Sequence, residues 1–116
     1  MPSEKRKNQR YQSEAKARIA GLDRGDAFLK DLSIIGCCLV FGMPIDVKPG
    51  TQYEIEIFPE EVSGIGIFEI LAETKWIHVS DNSMELGFGI LESPKGKHFQ
   101  RYVDYLAWRS GQEHQR

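Results

Sequence analysis

The segment that decides the fold is residues 67–91, IFEILAETKWIHVSDNSMELGFGIL, in which two alternating runs flank a polar turn. In the first run, every second residue from Phe68 to Trp76 is placed on one face, and in the second run the same holds from Leu86 to Ile90. A period of two is typical of strands with one buried face. The tripeptide DNS between the runs has the chemistry of a hairpin turn. The segment therefore predicts two long, paired, antiparallel strands.

Shorter alternating segments precede this hairpin and are separated by glycine, proline and aspartate, which are common turn residues. They predict four further strands, at residues 15–20, 27–32, 37–41 and 53–57. The chain is thus predicted to be mainly β, with about six short antiparallel strands that form a small barrel.

Near the C-terminus the apolar spacing changes to three and four residues, which predicts a helix. Its apolar stripe consists of Phe99, Tyr102, Val103 and Leu106. Ser93 and Pro94 suit the start of a helix, and Gly111 suits its end. We expect this C-terminal helix to pack its stripe across an open end of the barrel.

Charge is distributed unevenly along the 116 residues, although the net charge is only −2. Residues 1–18 contain six basic and two acidic side chains, a net charge of +4, which leaves −6 for the remainder. We predict that residues 1–13 are a flexible basic N-terminal arm. Residues 14–110 would form the barrel with its helix, and residues 111–116 a polar tail.

Composition excludes several classes of protein. A net charge near zero argues against a general DNA-coating protein. The longest uninterrupted apolar run, residues 37–41, is far too short to insert into a membrane, and the N-terminus lacks the apolar core of a secretory signal. The two cysteines, Cys37 and Cys38, are adjacent and unsuited to a disulfide framework. These features favour a cytoplasmic protein.

Catalytic and metal-binding motifs are not found in the sequence. The three histidines, His78, His98 and His114, have no nucleophile or carboxylate at a recognisable spacing. Phosphate-binding loops, dinucleotide fingerprints and zinc spacings are also lacking. We therefore expect a protein that is not an enzyme, has no catalytic residues, and uses no metal or cofactor.

Two short motifs remain. Arg6 and Arg10 form RxxxR in the arm, and residues 31–36, DLSIIG, form DxSxxG at the end of a predicted strand. Together and in this order they resemble the signature of the PilZ family, bacterial receptors for the second messenger cyclic di-GMP. The resemblance extends over about residues 4–109, since the strand-rich body and the C-terminal helix also suit the family.

The resemblance implies a six-stranded antiparallel PilZ-type β-barrel with a C-terminal α-helix. It also implies that cyclic di-GMP is bound by Arg6, Arg10, Asp31, Ser33 and Gly36. The chemistry of these side chains suits that ligand. A guanidinium binds phosphate oxygens or the O6 and N7 atoms of guanine in pairs, and it stacks on purines.

The second motif supplies complementary chemistry. The Asp31 carboxylate can accept hydrogen bonds from the N1–H and N2–H₂ edge of guanine, and Ser33 adds a hydroxyl group. Gly36 allows the ligand to approach the main chain closely. A structural interpretation stays open beside this one, because Asp, Ser and Gly also cap ordinary turns and arginines also keep polar tails in solution.

Two further residues are secondary candidates. Lys5 precedes the first motif arginine, a position that in the family influences whether one or two ligand molecules bind, so the stoichiometry is open. Trp76 occupies a strand position that resembles one where family members hold an aromatic ring beside a guanine. A tryptophan in a strand more often belongs to the core.

We expect a receptor that changes conformation on binding cyclic di-GMP and signals to an unidentified downstream protein. One alternative is a PilZ-like protein-interaction domain that binds no nucleotide. Another is a small barrel that binds RNA or single-stranded nucleic acid through the basic arm. The acidic body and the lack of an aromatic stripe on one sheet face count against the second alternative.

Overall fold

A computed structural model describes residues 9–22, 27–92 and 97–114, with the side chains of the last range described through Gly111. The predictions for Lys5 and Arg6 lie outside the described residues, as do those for Ser93 and Pro94. Within the described ranges the chain forms seven strands, one 3-10 turn and one helix. Their bounds are β1 Tyr11–Gln12, β2 Lys16–Ile19, β3 Ala27–Leu32, β4 Gly36–Phe41, β5 Gln52–Phe58, the 3-10 turn Glu61–Ser63, β6 Phe68–Val79, β7 Met84–Glu92 and α1 His98–His114.

Six of the strands close into an antiparallel barrel, so the predicted fold class is confirmed. The strand order is β1-β3-β2-β5-β6-β7-β4, and an additional pairing between β3 and β4 closes the ring. Closure removes the open edges of the sheet. The long hairpin of β6 and β7 pairs from Leu71 opposite Glu92 to Val79 opposite Met84, as the alternating segment predicted.

The seventh strand, β1, lies within the segment predicted to be a flexible arm. Tyr11 pairs with Leu32 and Gln12 with Asp31, and the Ser13 amide donates to the Lys30 carbonyl at 3.0 Å. Structure therefore starts before the predicted boundary at residue 14. Main-chain pairing with β3 orders this polar segment, a contribution that a search for apolar periodicity does not detect.

The core of the barrel is built from the inward-facing residues of the alternating strands. It includes Ala15, Ala17, Ile19, Leu29, Leu39, Ile55, Ile57, Ile70, Leu86 and Phe88. The predicted helical stripe joins the same core, since Phe99, Tyr102, Val103 and Leu106 are all buried. The Phe68 ring of β6 contacts Phe99 edge-on, with 6.0 Å between ring centroids. Burial of these apolar side chains stabilises the barrel and fixes α1 against it.

A bulge in β6 reverses the predicted direction of Trp76. Thr74 pairs with Phe88 but Trp76 pairs with Gly87, so that Lys75 is an extra residue in the strand. Thr74 is 1% exposed on the inner face, whereas Trp76 is 46% exposed. The prediction that Trp76 shares the face of Phe68 is therefore wrong, because one inserted residue shifts every later side chain to the opposite face.

The end of the helix also differs from the sequence-based expectation. It continues through Gly111 to His114, although Gly111 was predicted to terminate it. A glycine within a helix costs only about 1 kcal/mol relative to alanine, so it does not by itself end one. Among the described residues, no helix is long and apolar enough to cross a membrane.

Both cysteines are buried and unpaired in β4. Burial raises the pKa of the Cys37 thiol from 9.0 to about 12. The outward-facing Cys38 is only 4% exposed, and burial together with the nearby Asp31 carboxylate raises its pKa to about 11. Both thiols are therefore protonated at neutral pH.

The thiols provide a test of this packing. At pH 8 each should react with a thiol reagent at least about ten-fold more slowly in the folded protein than in denaturant, because the thiolate is the reactive species. The measurement is the rate of disulfide-exchange labelling with and without urea. Equal rates in the two states would contradict the burial of β4.

Candidate functional site

The second motif forms the tight turn between β3 and β4. The Ser33 amide donates to the Gly36 carbonyl at 2.9 Å. The Ser33 hydroxyl accepts from the amides of Ile35, at 3.2 Å, and Gly36, at 3.1 Å. With Ser33 1% exposed, its hydroxyl is used to hold the turn. Its direct contact with a ligand, predicted from the sequence, stays a prediction.

The turn holds Asp31 beside the end of the N-terminal arm. Arg10 precedes β1, and its Nη1 lies 2.9 Å from Asp31 Oδ1. The side chains of Arg10 and Asp31 are 46% and 23% exposed. An ion pair this exposed is worth at most about 1 kcal/mol, so a ligand can compete for either partner. The two motifs, twenty residues apart in sequence, are thus brought together.

Gly36 is needed for this approach. A Cβ at Gly36 would lie 2.7 Å from the Phe88 carbonyl oxygen and 3.1 Å from Arg10 Nη2. The guanidinium therefore lies against main chain that is free of side chain. The residue type is explained by the close approach of the Phe88 main chain and the Arg10 guanidinium, and close approach of a ligand stays a prediction.

A row of residues extends from Asp31 across the outer face of the barrel. Asp31 is opposite Cys38, Cys38 is opposite Gly87, and Gly87 is opposite Trp76. Directly opposed residues share a face of the sheet. Four strands are crossed, and at one strand spacing of about 4.8 Å the row is about 14 Å long. Trp76, a predicted secondary contact, is therefore on the same surface as the motif residues.

Three glycines lie in or beside this row, and two long side chains of β6 cover two of them. Gly36 is opposite Gly89, and both flank the row next to Gly87. The Trp76 indole covers Gly87, where a Cβ would overlap it, and the Lys75 side chain covers Gly89, where a Cβ would lie 2.9 Å from Lys75 Cε. We call Gly36, Gly87 and Gly89 the glycine strip.

Lys75 was missed by sequence reasoning. Lys75 is the extra residue of the bulge that also turns Trp76 outward. Its ammonium nitrogen lies 3.5 Å from Glu73 Oε2. The sequence signal was its position beside Trp76, but only the register of β6 against β7 shows that both lie on the glycine strip. The site thus has a cation at each side, Arg10 and Lys75, and one aromatic face.

No group of three or more histidine, cysteine, aspartate or glutamate side chains within the described ranges could hold a metal ion. The cluster that the fold assembles is instead one of cations, a carboxylate and an aromatic ring packed on glycine main chain. Such a surface suits a flat, anionic ligand with hydrogen-bond donors.

Comparison with known proteins supports the fold. The sequence matches no protein-family model and no curated protein. Among solved structures, it is similar to the Bacillus subtilis inhibitor of motility, MotI/DgrA, with a TM-score of 0.73 over 89% of this chain and 16% sequence identity. This chain spans about half of that protein, 49% of its length. At this identity the likeness shows the fold alone, which is a PilZ-type barrel.

Gly36 offers a test of the turn. Gly36→Ala should lower the free energy of unfolding by about 1–3 kcal/mol, because the added methyl group meets the Phe88 carbonyl, which the barrel holds in place. Gly42→Ala is the matched control, since nothing lies within 4 Å of a Cβ there. Urea unfolding followed by circular dichroism measures both. Equal stability of the two variants would contradict the close approach.

Proposed function

We propose that this chain is a PilZ-type receptor that binds cyclic di-GMP on the glycine strip. One observation carries the proposal: Arg10 pairs with Asp31 at 2.9 Å directly against Gly36. Residues of both sequence motifs thereby face one surface. The receptor performs no chemistry on its ligand and uses no cofactor.

Arg10 supplies the main cationic contact. Its guanidinium forms paired hydrogen bonds with a phosphate, or with O6 and N7 of a guanine. In the structure Nη1 is occupied by Asp31 and Nη2 is close to Gly36. The ligand replaces this exposed ion pair with charge-assisted hydrogen bonds of its own to Arg10 and Asp31.

Asp31 distinguishes guanine from the other bases. A carboxylate accepts from both N1–H and N2–H₂ of guanine, and no other common base has a ring N–H beside an amino group on one edge. Ser33 contributes by holding the turn on which Asp31 and Gly36 are fixed. Direct contact between the Ser33 hydroxyl and the ligand would require the turn to open, because Ser33 is 1% exposed.

Trp76 and Lys75 form the far side of the site. The Trp76 indole packs on Gly87 and is 46% exposed, so its free surface offers a face for a purine to stack on. Lys75 adds a point charge for a phosphate, after exchange of its contact with Glu73. Arg6 and Lys5 are assigned from the motif, and whether one or two ligand molecules bind is decided by titration.

The output is a change in the surface presented to an unidentified downstream protein. Binding reorders the contacts of Arg10 and therefore the segment around β1, which lies beside Asp31. The buried, unpaired cysteines fit a reducing compartment, the bacterial cytoplasm. Neither DNA binding nor membrane insertion is part of the proposal.

Calorimetric titration with cyclic di-GMP tests the proposal. The intact chain should bind with a Kd between nanomolar and micromolar. Arg10→Ala and Asp31→Ala should each weaken binding by at least about ten-fold, because each leaves a polar edge of the ligand unpaired. Exposed residues elsewhere provide matched controls, Arg101→Ala and Asp46→Ala, and these should bind as the parent does.

Two outcomes contradict the proposal. If the intact chain shows no heat at millimolar ligand, the nucleotide-receptor function is wrong and a protein-interaction domain takes its place. If binding is instead found with RNA and falls steeply with salt, the single-strand-binding alternative is correct.

The far side of the site has its own test. Trp76→Ala should weaken binding by about five-fold or more, since stacking of a base on an aromatic side chain is worth about 1–3 kcal/mol. Trp108→Ala is the control, because that indole is exposed on α1. Ligand should quench Trp76 fluorescence in the control variant. Unchanged affinity of Trp76→Ala would remove Trp76 from the site.

A further inference from the structure

Arg109 ties the C-terminal helix to the N-terminal segment. Its Nη2 donates to the Gln12 main-chain carbonyl at 2.8 Å, and its Nη1 donates to Glu60 Oε2 at 2.8 Å. Nη1 also lies 3.9 Å from the Glu14 carboxylate. The Arg109 side chain is 20% exposed and that of Glu60 12%, so these charge-assisted bonds are partly shielded from water and stronger than surface pairs.

Glu60 extends this contact into the core. Its second oxygen, Oε1, accepts from the Tyr102 hydroxyl at 2.5 Å. Since that hydroxyl has a single proton, the Ser13 hydroxyl at 2.8 Å donates to it. Ser13 in turn accepts from the Ala15 amide at 2.9 Å. Burial, together with the Glu60 carboxylate, raises the pKa of Tyr102, so this donor stays protonated across the physiological range.

These contacts connect α1 to the ligand site by a short path. Gln12, whose carbonyl binds Arg109, is directly opposite Asp31 in the pairing of β1 with β3. Arg10, the partner of Asp31, is only two residues away. β1 consists of two residues. It pairs with β3 on one side, packs Tyr11 against the core, and is contacted by Arg109 of α1.

There is room for β1 to move relative to the helix. A cleft of about 280 Å³ is lined by Arg10 and Tyr11 on one side and by Leu106, Arg109 and Ser110 on the other. A small displacement of β1 therefore meets space before it meets packed side chains. Such a displacement changes the position of the Gln12 carbonyl, and with it the partners available to Arg109.

We propose that Arg109 is a positioning residue that couples occupancy of the Arg10–Asp31 site to the seating of the C-terminal half of α1. The inference rests on the proposed function, since it assigns a route by which ligand at that site reaches the helix. Without ligand, the Arg10–Asp31 ion pair and the Arg109–Gln12 hydrogen bond hold β1 in place against β3 and α1. When the ligand binds Arg10 and Asp31, β1 shifts, and the C-terminal half of α1 changes its contacts with β1.

Thermodynamic reciprocity makes the coupling testable without ligand, because a link between two places acts in both directions. Arg109→Lys keeps a cation for Glu60 but lacks the second nitrogen that binds Gln12. Hydrogen exchange of the Ser13 amide, which binds the Lys30 carbonyl, should speed up by about five-fold. Arg10→Ala should likewise speed exchange of amides at residues 106–111. Arg101→Lys, an exposed position on the same helix, should change neither.

The ligand arm of the experiment uses cyclic di-GMP itself. In the intact chain, ligand should change exchange at residues 106–111 by at least about five-fold. In Arg109→Lys the ligand should still bind, while this change at the helix is lost. Thermal unfolding of each variant, expected close to that of the parent, separates lost coupling from lost folding.

The outcomes are distinguishable. Binding in the intact chain with no change at residues 106–111 overturns the coupling and leaves the receptor function standing. No effect of Arg109→Lys on Ser13 exchange overturns it as well. If ligand does not bind at all, the receptor function fails and the ligand-linked coupling fails with it, whatever the ligand-free exchange shows.

Discussion

The ion pair between Arg10 and Asp31 is the interaction on which the proposed function of this protein depends. It forms only because the turn from β3 to β4 is held by Ser33 and because Gly36 has no side chain to keep the guanidinium away. It is exposed enough for a ligand to compete with it. Its position beside β1 also connects it with Arg109 and the helix. A rigid barrel thus supports a weak, exchangeable contact at its surface, which is the combination that a ligand-operated receptor requires.

The second constraint is the bulge at Lys75. A regular strand would have directed Trp76 into the core, and the glycine strip would then have no aromatic side chain at the edge formed by β6. The extra residue turns Trp76 and Lys75 onto the face that holds Asp31 and Gly36. Bulges commonly direct side chains towards functional surfaces, and here the bulge widens a contact of two residues into a candidate site about 14 Å across.

Much of the fold could be predicted from the sequence because the inward positions alternate cleanly. The strand predicted at residues 27–32 matches β3, and the helical stripe of Tyr102 and Leu106 is buried as expected. The errors fall where periodicity carries no information. β1 is ordered by main-chain pairing, and the direction of Trp76 depends on a register shift that involves β7.

The candidate site was predicted only in part for the same reason. Motif residues Arg10, Asp31 and Gly36 could be named, and the structure brings them together. Lys75 and Arg109 belong to no motif, and their roles arise from tertiary contacts between segments far apart in sequence. Ser33 shows a third case, in which a motif residue is buried and stabilises the turn.

Binding of cyclic di-GMP on the glycine strip can be followed at the amides of the glycines themselves. In a nuclear magnetic resonance titration, the amide signals of Gly36, Gly87 and Gly89 should shift with added ligand. Those of Gly21 and Gly64, which lie in the turns that follow β2 and the 3-10 segment, should not. Shifts confined to the first set would support binding on the strip. No shift at millimolar ligand, or shifts only at Gly21 and Gly64, would contradict it.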